Sequence, residues 1–306
     1  MSGRLRRLHR HMDKILENEA RGRVKKRGGS RALRKMFNNR LTVLGIAVFV
    51  TFVVMCFGAP LFTQYSPTKM NISQSLRAPS FEHLFGTDKI GRDVFARVLY
   101  GGRVSILVGL GGALGSALVG VFLGVLCGYK RGWPDKLVFR TSELFMAFPQ
   151  MILILLLVSI IGQNLGNLFL IFIITGLGSM YRMTRSLMLS QREEEYVQAL
   201  KAFGLNDFVI GFKHILPNIV GPVAVNITLS TAMFILQEAA LSLLGLGVPM
   251  EIPTWGNILN AAGDLNVLKN NWWIWLPVGT VISLFVLSIN FIGDGLRDAA
   301  DPTQRG

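Results

Sequence analysis

The chain alternates long apolar runs with short polar segments. An α-helix needs roughly 20 mainly apolar residues to cross the hydrocarbon core of a bilayer. Windows of this kind occur six times, at Leu41–Phe62, Val104–Leu126, Leu137–Ile161, Asn167–Tyr181, Ile219–Leu244 and Trp272–Ile292. The pattern predicts an all-α polytopic membrane protein with six transmembrane helices.

Composition and charge support this prediction and orient the chain. The sequence is 51% hydrophobic and 16% charged, whereas soluble domains are roughly 25% charged. Most of its 32 lysines and arginines lie in residues 1–40, 127–140, 182–214 and beyond 292, which share one side if both termini are cytoplasmic. Positive charge on cytoplasmic loops sets orientation during insertion. We therefore predict that both termini are cytoplasmic.

The tail at residues 1–40 is strongly basic. Apolar residues recur in it at helical spacing among arginines, at Leu5, Leu8, Met12 and Ile15. This pattern is typical of an amphipathic helix on an anionic lipid surface, so the net charge of +14 indicates contact with membrane lipid rather than nucleic acid. No small-residue cleavage pattern follows the first span, and we expect that span to remain as an anchor.

Several predicted spans contain polar, small or helix-breaking residues. The fifth contains Asn226, Gln237 and Glu238, and a carboxylate at that depth needs a partner or a water-filled cavity. Glu238 therefore either lies on a translocation path or braces a helix junction. In the third span, Pro149 predicts a kink. In the second, small residues at every fourth position predict close helix packing: Gly112, Ser116, Gly120, Gly124 and Gly128.

Motifs for several kinds of chemistry are absent from the sequence. It has no G-x-x-x-x-G-K-[ST], and hence no phosphate-binding loop of that type, no H-E-x-x-H and no G-x-S-x-G. The two cysteines, Cys56 and Cys127, fall within or beside spans and are expected to be buried thiols. We expect no cofactor or metal site in this chain. An intramembrane enzyme and a self-sufficient channel or carrier remain alternatives.

The polar segment at residues 193–217 predicts a helix pair. Its first helix carries an apolar stripe of Tyr196, Val197, Leu200 and Phe203. Gly204 fits the position of positive φ beyond that helix, and Asn206 fits the N-cap of the next. The second helix carries Phe208, Val209 and Phe212, and Pro217 suits the first turn of the following span. The pair is too short to span and is predicted to dock onto a cytoplasmic partner.

Four separated motifs follow one another along the chain. They are HLFGTDKIGRDVFARVLYGGRVSILVG (83–109), the segment just described, LSLLGLGVPMEIPTWGNIL (241–259) and NFIGDGLRDAADP (290–302). Together they resemble the C-type inner-membrane permease subunits of dipeptide and oligopeptide ABC importers over about residues 33–302. The second motif resembles the family's E-A-A-x-x-x-G and I-x-L-P loop, with departures at Gln198, Leu200 and His214.

The resemblance implies a type I ABC importer permease fold in a bacterial plasma membrane. It implies four kinds of partner: a homologous B-type permease, two cytoplasmic ATPases that bind ATP and Mg²⁺, an extracytoplasmic binding protein, and membrane lipid. It implies a role in ATPase coupling for Tyr196, Val197, Gln198, Ala199, Leu200, Phe203, Gly204, Phe208, Phe212, Leu216 and Pro217. The same scaffold also resembles importers of nickel chelates or glutathione, so the cargo stays open.

Two external regions are expected between the spans. Residues 63–103 carry the family's GTD motif, for which we favour a structural role at the surface over substrate binding; the residues are Gly86, Thr87, Asp88, Gly91, Arg92, Asp93, Arg97, Tyr100, Gly101 and Arg103. Residues 248–271 are expected to form a re-entrant element that contacts the binding protein or plugs the path. Residues 104–292 form the predicted five-helix core, and 293–306 the C-terminal segment.

Overall fold

The computed structural model describes residues 36–37 and 39–300. The amphipathic helix predicted in the basic tail lies outside the described residues. The main helices are α1 (Arg40–Phe57), α2 (Val94–Lys130), α3 (Trp133–Ala147), α4 (Gln150–Ile161), α5 (Leu165–Arg192), α6 (Glu195–Ala202), α7 (Asp207–Leu243), α8 (Trp255–Leu259), α9 (Leu265–Asn270) and α10 (Trp272–Ala300). Over this range the structure contains no β-strand, only an isolated bridge between Thr87 and Asp93.

The all-α prediction agrees with the structure. Five helices, α1, α2, α5, α7 and α10, are long and apolar enough to cross a membrane, and the count reaches the predicted six when the bent pair α3–α4 is taken as one span. Several helices extend beyond the predicted windows: α2 begins ten residues before Val104, and α5 continues to Arg192. Arginines interrupt the apolar pattern in both extensions, at Arg97 and Arg103 in α2 and at Arg182, Arg185 and Arg192 in α5, so hydropathy alone does not include them.

The third predicted span is broken rather than kinked. Helices α3 and α4 meet at an angle of 96°, and Phe148, between them, has the extended conformation φ −91°, ψ 142°. The cause is Pro149, whose ring disfavours helical geometry in the preceding residue and which has no N–H to donate. Glu143, which falls within the predicted window Leu137–Ile161, lies on α3 and pairs with Arg140 at 2.9 Å on the protein surface.

Close packing of α2 against α5 forms the centre of the bundle. A Cβ atom added at Gly120 would lie 2.8 Å from Cβ of Met180 and 3.0 Å from the backbone N of Tyr181. The other small residues of the series face α5 in the same way, as predicted: Gly112 lies against Phe172, and Gly124 against Thr184. The stripe therefore lets two backbones approach where larger side chains would separate them.

The two ends of the bundle have different contents. The first end contains residues 193–217 together with both ends of the described chain, because Asn39 donates to Asp298 at 3.5 Å and Gly221 packs on Ala300. The opposite end contains residues 63–93, α8 and α9. There a cluster of aromatic side chains joins α1, α8 and α10, with Trp255 packed edge-on against Phe285 at 5.2 Å.

Candidate functional site

The predicted helix pair begins with α6, which ends in a glycine turn. Gly204 has φ +76°; its N–H donates to Lys201 O at 3.0 Å, and that of Leu205 donates to Leu200 O at 3.3 Å. These two bonds form the Schellman motif, in which a left-handed glycine satisfies the last carbonyls of a helix. Asn206 then accepts from the N–H of Phe208 at 2.9 Å. The predicted glycine turn and N-cap are confirmed.

The second helix of the pair is not a separate element, which corrects the prediction. Asp207–Val209 passes directly into a π-helical turn, Ile210–Ile215, and then into the α-helix Leu216–Leu243. Pro217 occupies the first turn of that last segment, as expected. The π turn adds one residue per turn without ending the helix. The docking segment and the fifth span are therefore one continuous helix, α7.

The apolar stripe of α6 is divided between two surfaces. Val197 is 1% exposed and packs with Ile210 and Ile215 against Val125 of α2 and Met188 of α5. Leu200 and Phe212 are half-buried beside them. By contrast, four apolar side chains remain exposed on the outer side: Tyr196, Phe203 (82%), Phe208 (50%) and Val209. We call these four residues the outer apolar face.

Hydrogen bonds attach α6 to both neighbouring helices. The hydroxyl of Tyr196 donates to Gln191 at the end of α5 and accepts from Asn218 of α7, each at 3.0 Å. The amide of Gln198 donates to the carbonyl of Arg192 at 3.1 Å. Ala199 is exposed and Leu216 is half-buried. The contacts made by Tyr196 and Gln198 hold the outer apolar face in one orientation relative to the bundle.

A buried ion pair near this end was missed in the sequence. Asp135, in the first turn of α3, is 4% exposed and accepts from Arg185 of α5 at 2.5 and 2.6 Å. The hydroxyl of Tyr181 donates to the same carboxylate at 2.9 Å. Tyr181 and Arg185 are four residues apart and so share one face of α5. The spacing of Tyr181 and Arg185 is visible in the sequence, but Asp135, the carboxylate that pairs with Arg185, lies 50 residues away from it.

Removing the carboxylate of Asp135 is expected to destabilise the protein. In Asp135→Ala, the guanidinium of Arg185 and the hydroxyl of Tyr181 lose their shared acceptor, and we expect a loss of about 2–3 kcal/mol, since an uncompensated charge remains in a largely buried site. The midpoint of thermal unfolding of the purified protein measures this loss. The matched control is Glu143→Ala, which removes half of an exposed pair and should change the midpoint little. Equal effects of Asp135→Ala and Glu143→Ala would contradict a stabilising role for the buried Asp135–Arg185 pair.

At the opposite end, Glu238 is the centre of a buried polar junction. It is completely buried and accepts from hydroxyl groups on three segments: Ser105 of α2 at 3.0 Å, Ser242 of α7 at 3.0 Å and Thr254 before α8 at 2.8 Å. Ser105 also accepts from the backbone N–H of Trp255 at 3.0 Å. Within the described part of the chain, no lysine or arginine pairs with Glu238. This placement favours the helix-bracing alternative.

The other two polar residues predicted in the fifth span have different surroundings. Asn226 is half-buried and accepts from Ser230 at 3.3 Å. Gln237 is 9% exposed, and its Oε1 has no hydrogen-bond partner in the described structure. The structure does not bring Asn226, Gln237 and Glu238 together at one point, since Asn226 lies about three helical turns from the other two.

The GTD motif is more deeply buried than predicted. We expected exposed charge pairs, whereas Asp88, Asp93 and Arg97 are each less than 9% exposed. Asp88 accepts from the backbone and side chain of Arg92, at 2.9 and 2.7 Å. Asp93 accepts from His83 at 2.8 Å and caps α2 through the N–H of Ala96. The motif therefore folds residues 63–93 and starts α2, which is a structural role.

The remaining residues of the motif connect neighbouring segments. Arg103 donates to the carbonyls of Cys56 and Phe57 at 2.6 and 2.8 Å, so that it satisfies the C-terminal end of α1, and it lies over the ring of Tyr100. Thr87 donates to Gln74 O at 2.5 Å. Gly101 packs against the backbone of Thr254. Two glycines of the motif have positive φ, Gly86 and Gly91.

One exposed ion pair joins the GTD segment to the region of residues 248–271. Lys89 of the GTD segment contacts Asp264 at the N-cap of α9. The hydrogen bond donated by Lys89 holds the pKa of the Asp264 carboxyl below its ordinary value. Residues 248–263 fold back against the bundle, with Asn257 donating to the carbonyls of Val248 and Ile252. These residues form a packed element that meets the GTD segment through Lys89 and Asp264; its expected re-entrant, external position stays a prediction.

These observations define a multi-pass helical membrane protein with a surface element at one end and a packed cap at the other. Residues 120–306 match the family described as binding-protein-dependent transport system inner membrane component, and residues 29–79 match the N-terminal TM domain of oligopeptide transport permease C. The chain belongs to the family of binding-protein-dependent transport permeases, as the sequence motifs indicated.

Curated relatives cover most of the chain. The dipeptide transport system permease protein DppC of Alkalihalophilus pseudofirmus is 39% identical over 90% of this chain and 90% of its own length. The oligopeptide transport system permease protein OppC of Bacillus subtilis is 34% identical over 90% of this chain and 89% of its own length. The dipeptide transport system permease protein DppC of Bacillus subtilis is 36% identical over 90% of this chain and 85% of its own length. The similarity therefore extends over the described bundle as a whole.

Proposed function

We propose that this chain is a permease subunit of an ATP-driven importer of dipeptides or oligopeptides. The observation that carries the proposal is the outer apolar face. Phe203 and Phe208 are exposed on an element whose other side is fixed to the bundle, and rigid exposed aromatic groups of this kind mark interaction sites. The sequence has no P-loop, so the energy source must belong to another chain.

The proposed partners follow from placing the energy source on a different chain from the transport path. Two cytoplasmic ATPases bind ATP and Mg²⁺, and one of them receives the outer apolar face. A homologous B-type permease supplies the other half of the path, and an extracytoplasmic binding protein delivers the cargo. The relatives are named as dipeptide and oligopeptide permeases, which supports peptides as that cargo, ahead of nickel chelates or glutathione.

The arrangement of the bundle supports a cytoplasmic position for both termini. Asn39 and Ala300 lie at the same end as the outer apolar face, where the ATPases must dock. Basic residues are abundant in the segments at this end, including Lys130, Arg131 and Arg192, in agreement with the rule that cytoplasmic loops are positively charged.

The test is to make the outer apolar face acidic. We expect Phe203→Glu combined with Phe208→Glu to leave the permease pair intact but to lower retention of the ATPases and peptide uptake at least tenfold, because two charges would enter an apolar interface. Copurification of the complex and uptake of labelled tripeptide into proteoliposomes measure these effects.

The matched control is Phe81→Glu. Phe81 is a fully exposed phenylalanine of the external region, and its replacement should leave ATPase retention unchanged. Full retention and uptake in the double variant would reject the docking assignment. Uptake of nickel chelate or glutathione, but not of peptides, by the wild-type complex would replace the proposed cargo.

A further inference from the structure

Two cavities open along one stripe of α7. The first, of about 450 Å³, is lined by Pro222, Val225, Asn226 and Leu229, together with Arg297 at the first end of the bundle. The second, of about 340 Å³, is lined by Leu229, Ser230 and Met233. These positions recur every three or four residues, so they share one face of the helix. Leu229 belongs to both cavities, which makes them neighbours.

The second cavity lies inside the break between α3 and α4. Its other wall contains Phe148 and Gln150, on either side of Pro149, and Thr175 and Ser179 of α5. The 96° angle at the break turns α3 away from the line of α4 and leaves space beside α7. The broken span and the stripe of α7 therefore line the same cavity.

Thr175 and Ser230 on this cavity bond within their own helices, to Ile171 and Asn226, but the cavity's other two polar groups differ from those on the apolar outer faces. On α1, α4 and α10, exposed hydroxyls bond back to a carbonyl one turn earlier: Thr51 to Ala47, Ser159 to Leu155, and Thr280 to Leu276. Such bonds remove the need for an outside partner. Gln150 and Ser179 make no hydrogen bond to any described residue. Groups of this kind require water or a polar ligand.

Gln237 extends the same pattern toward the opposite end. It follows Met233 by one turn and Ser230 by two, which places it on the stripe. Its carbonyl oxygen Oε1 is buried without a partner in the described structure. Because this oxygen is closed to solvent, Gln237 marks the end of the stripe and lines neither cavity.

Charge is confined to the ends of this line. The second cavity has no charged side chain among its described lining residues, and the first has only Arg297. A third cavity, of about 540 Å³ at the opposite end, contains Leu243 of α7 with Asp88, Lys89, Arg92 and Asp264. The third cavity shares no lining residue with the second, so the lining of the two cavities on the stripe is neutral apart from the single cation Arg297.

We propose that the stripe Asn226–Ser230–Met233 is this chain's wall of the translocation path, and that it contacts the cargo through neutral hydrogen-bonding groups. The ligand class is a short peptide that is held by its main-chain amides, with little discrimination by side-chain charge. The proposal rests on the proposed function, because it identifies the surface along which the peptide moves. The Glu238 junction lies behind the stripe and holds α7 in place.

Accessibility of introduced cysteines tests the position of the path. In the complete reconstituted importer, with Cys56 and Cys127 replaced by alanine, single cysteines are placed at Ser230 and Met233. We expect a charged, membrane-impermeant thiol reagent to label both at least tenfold faster than a cysteine at Leu287, since thiols react as thiolates in water. Saturating tripeptide with ATP and binding protein should slow the labelling at both positions.

Leu287 is a control at matched depth. Helices α7 and α10 lie side by side, with Gly293 against Thr228, and Leu287 lies six residues from that contact, near the level of Met233. It is exposed on the apolar face of α10. Labelling of Ser230→Cys and Met233→Cys as slow as that of Leu287→Cys, in a complex that imports peptide, overturns the path assignment and leaves the proposed function intact. A wild-type complex that imports no peptide defeats the proposed function itself.

Substitution of Ser230 by a charged residue tests the ligand class. Uptake is compared for trialanine and for analogues with lysine or glutamate at the middle position, each normalised to wild type. We expect Ser230→Lys to lower uptake of the lysine peptide about tenfold more than that of the glutamate peptide, and Ser230→Glu to reverse this order, because like charges repel strongly where water is scarce. If the ratio of lysine-peptide uptake to glutamate-peptide uptake is the same in Ser230→Lys and Ser230→Glu, the cargo does not pass Ser230.

Discussion

Replacing Glu238 by leucine is expected to cost about 2–4 kcal/mol of stability, the largest effect of any single side chain that we consider. Three hydroxyl groups, on Ser105, Ser242 and Thr254, donate to this carboxylate, and leucine offers them no acceptor. An unsatisfied buried donor costs about 1–3 kcal/mol, although serine and threonine recover part of this by bonding to their own helix. Reversible unfolding in detergent or thermal denaturation of the purified protein measures the loss.

The neighbouring residue supplies the control for this prediction. Gln237 is also nearly buried, but its Oε1 has no partner, so Gln237→Leu removes an unsatisfied group and should be neutral or stabilising. The two variants make nearly isosteric changes at adjacent positions on different faces of α7. If both destabilise equally, general intolerance of leucine at this depth, rather than the junction, explains the result.

The predictions that succeeded from sequence rest on local chemistry. Gly204 and Asn206 were assigned correctly because a left-handed residue and an N-cap are each determined within a few residues. The small residues of α2 predicted a close approach because their spacing fixes their face. Hydropathy located the spans, although not their ends, since the first ten residues of α2 are buried against protein.

The parts that sequence could not predict depend on distant partners. Asp135 and Arg185 are 50 residues apart, and nothing near either residue indicates that they pair. The GTD motif was expected at the surface, but its charges are buried because they bond to one another and to the backbone N–H groups of Ile90, Arg92 and Ala96. The angle at Pro149 is also a tertiary result, because proline permits a break and the packing of α3 and α4 on α5 sets its size.

The second large effect is expected from Gly120→Leu in the centre of the bundle. A Cβ atom at this position would approach Cβ and Cγ of Met180 at 2.8 and 2.9 Å and the backbone N of Tyr181 at 3.0 Å. Met180 can change rotamer, but the backbone of α5 cannot move without separating the helices. We expect a loss of about 3 kcal/mol, at the upper end for overpacking of a well-packed interface, and a correspondingly lower unfolding midpoint.

Gly279→Leu on α10 is the matched control, since no atom lies within 4 Å of a Cβ added there. Leucine has the higher helix propensity in both cases, so the control should be neutral or slightly stabilising, and only Gly120→Leu should destabilise.

The position of Gly120 also makes the variant informative about coupling. Helix α5 leads directly into α6, and a shift of α5 away from α2 would displace the outer apolar face. ATPase retention is therefore expected to fall together with stability in Gly120→Leu; a destabilised variant that retains the ATPases fully would show that the two ends of α5 move independently.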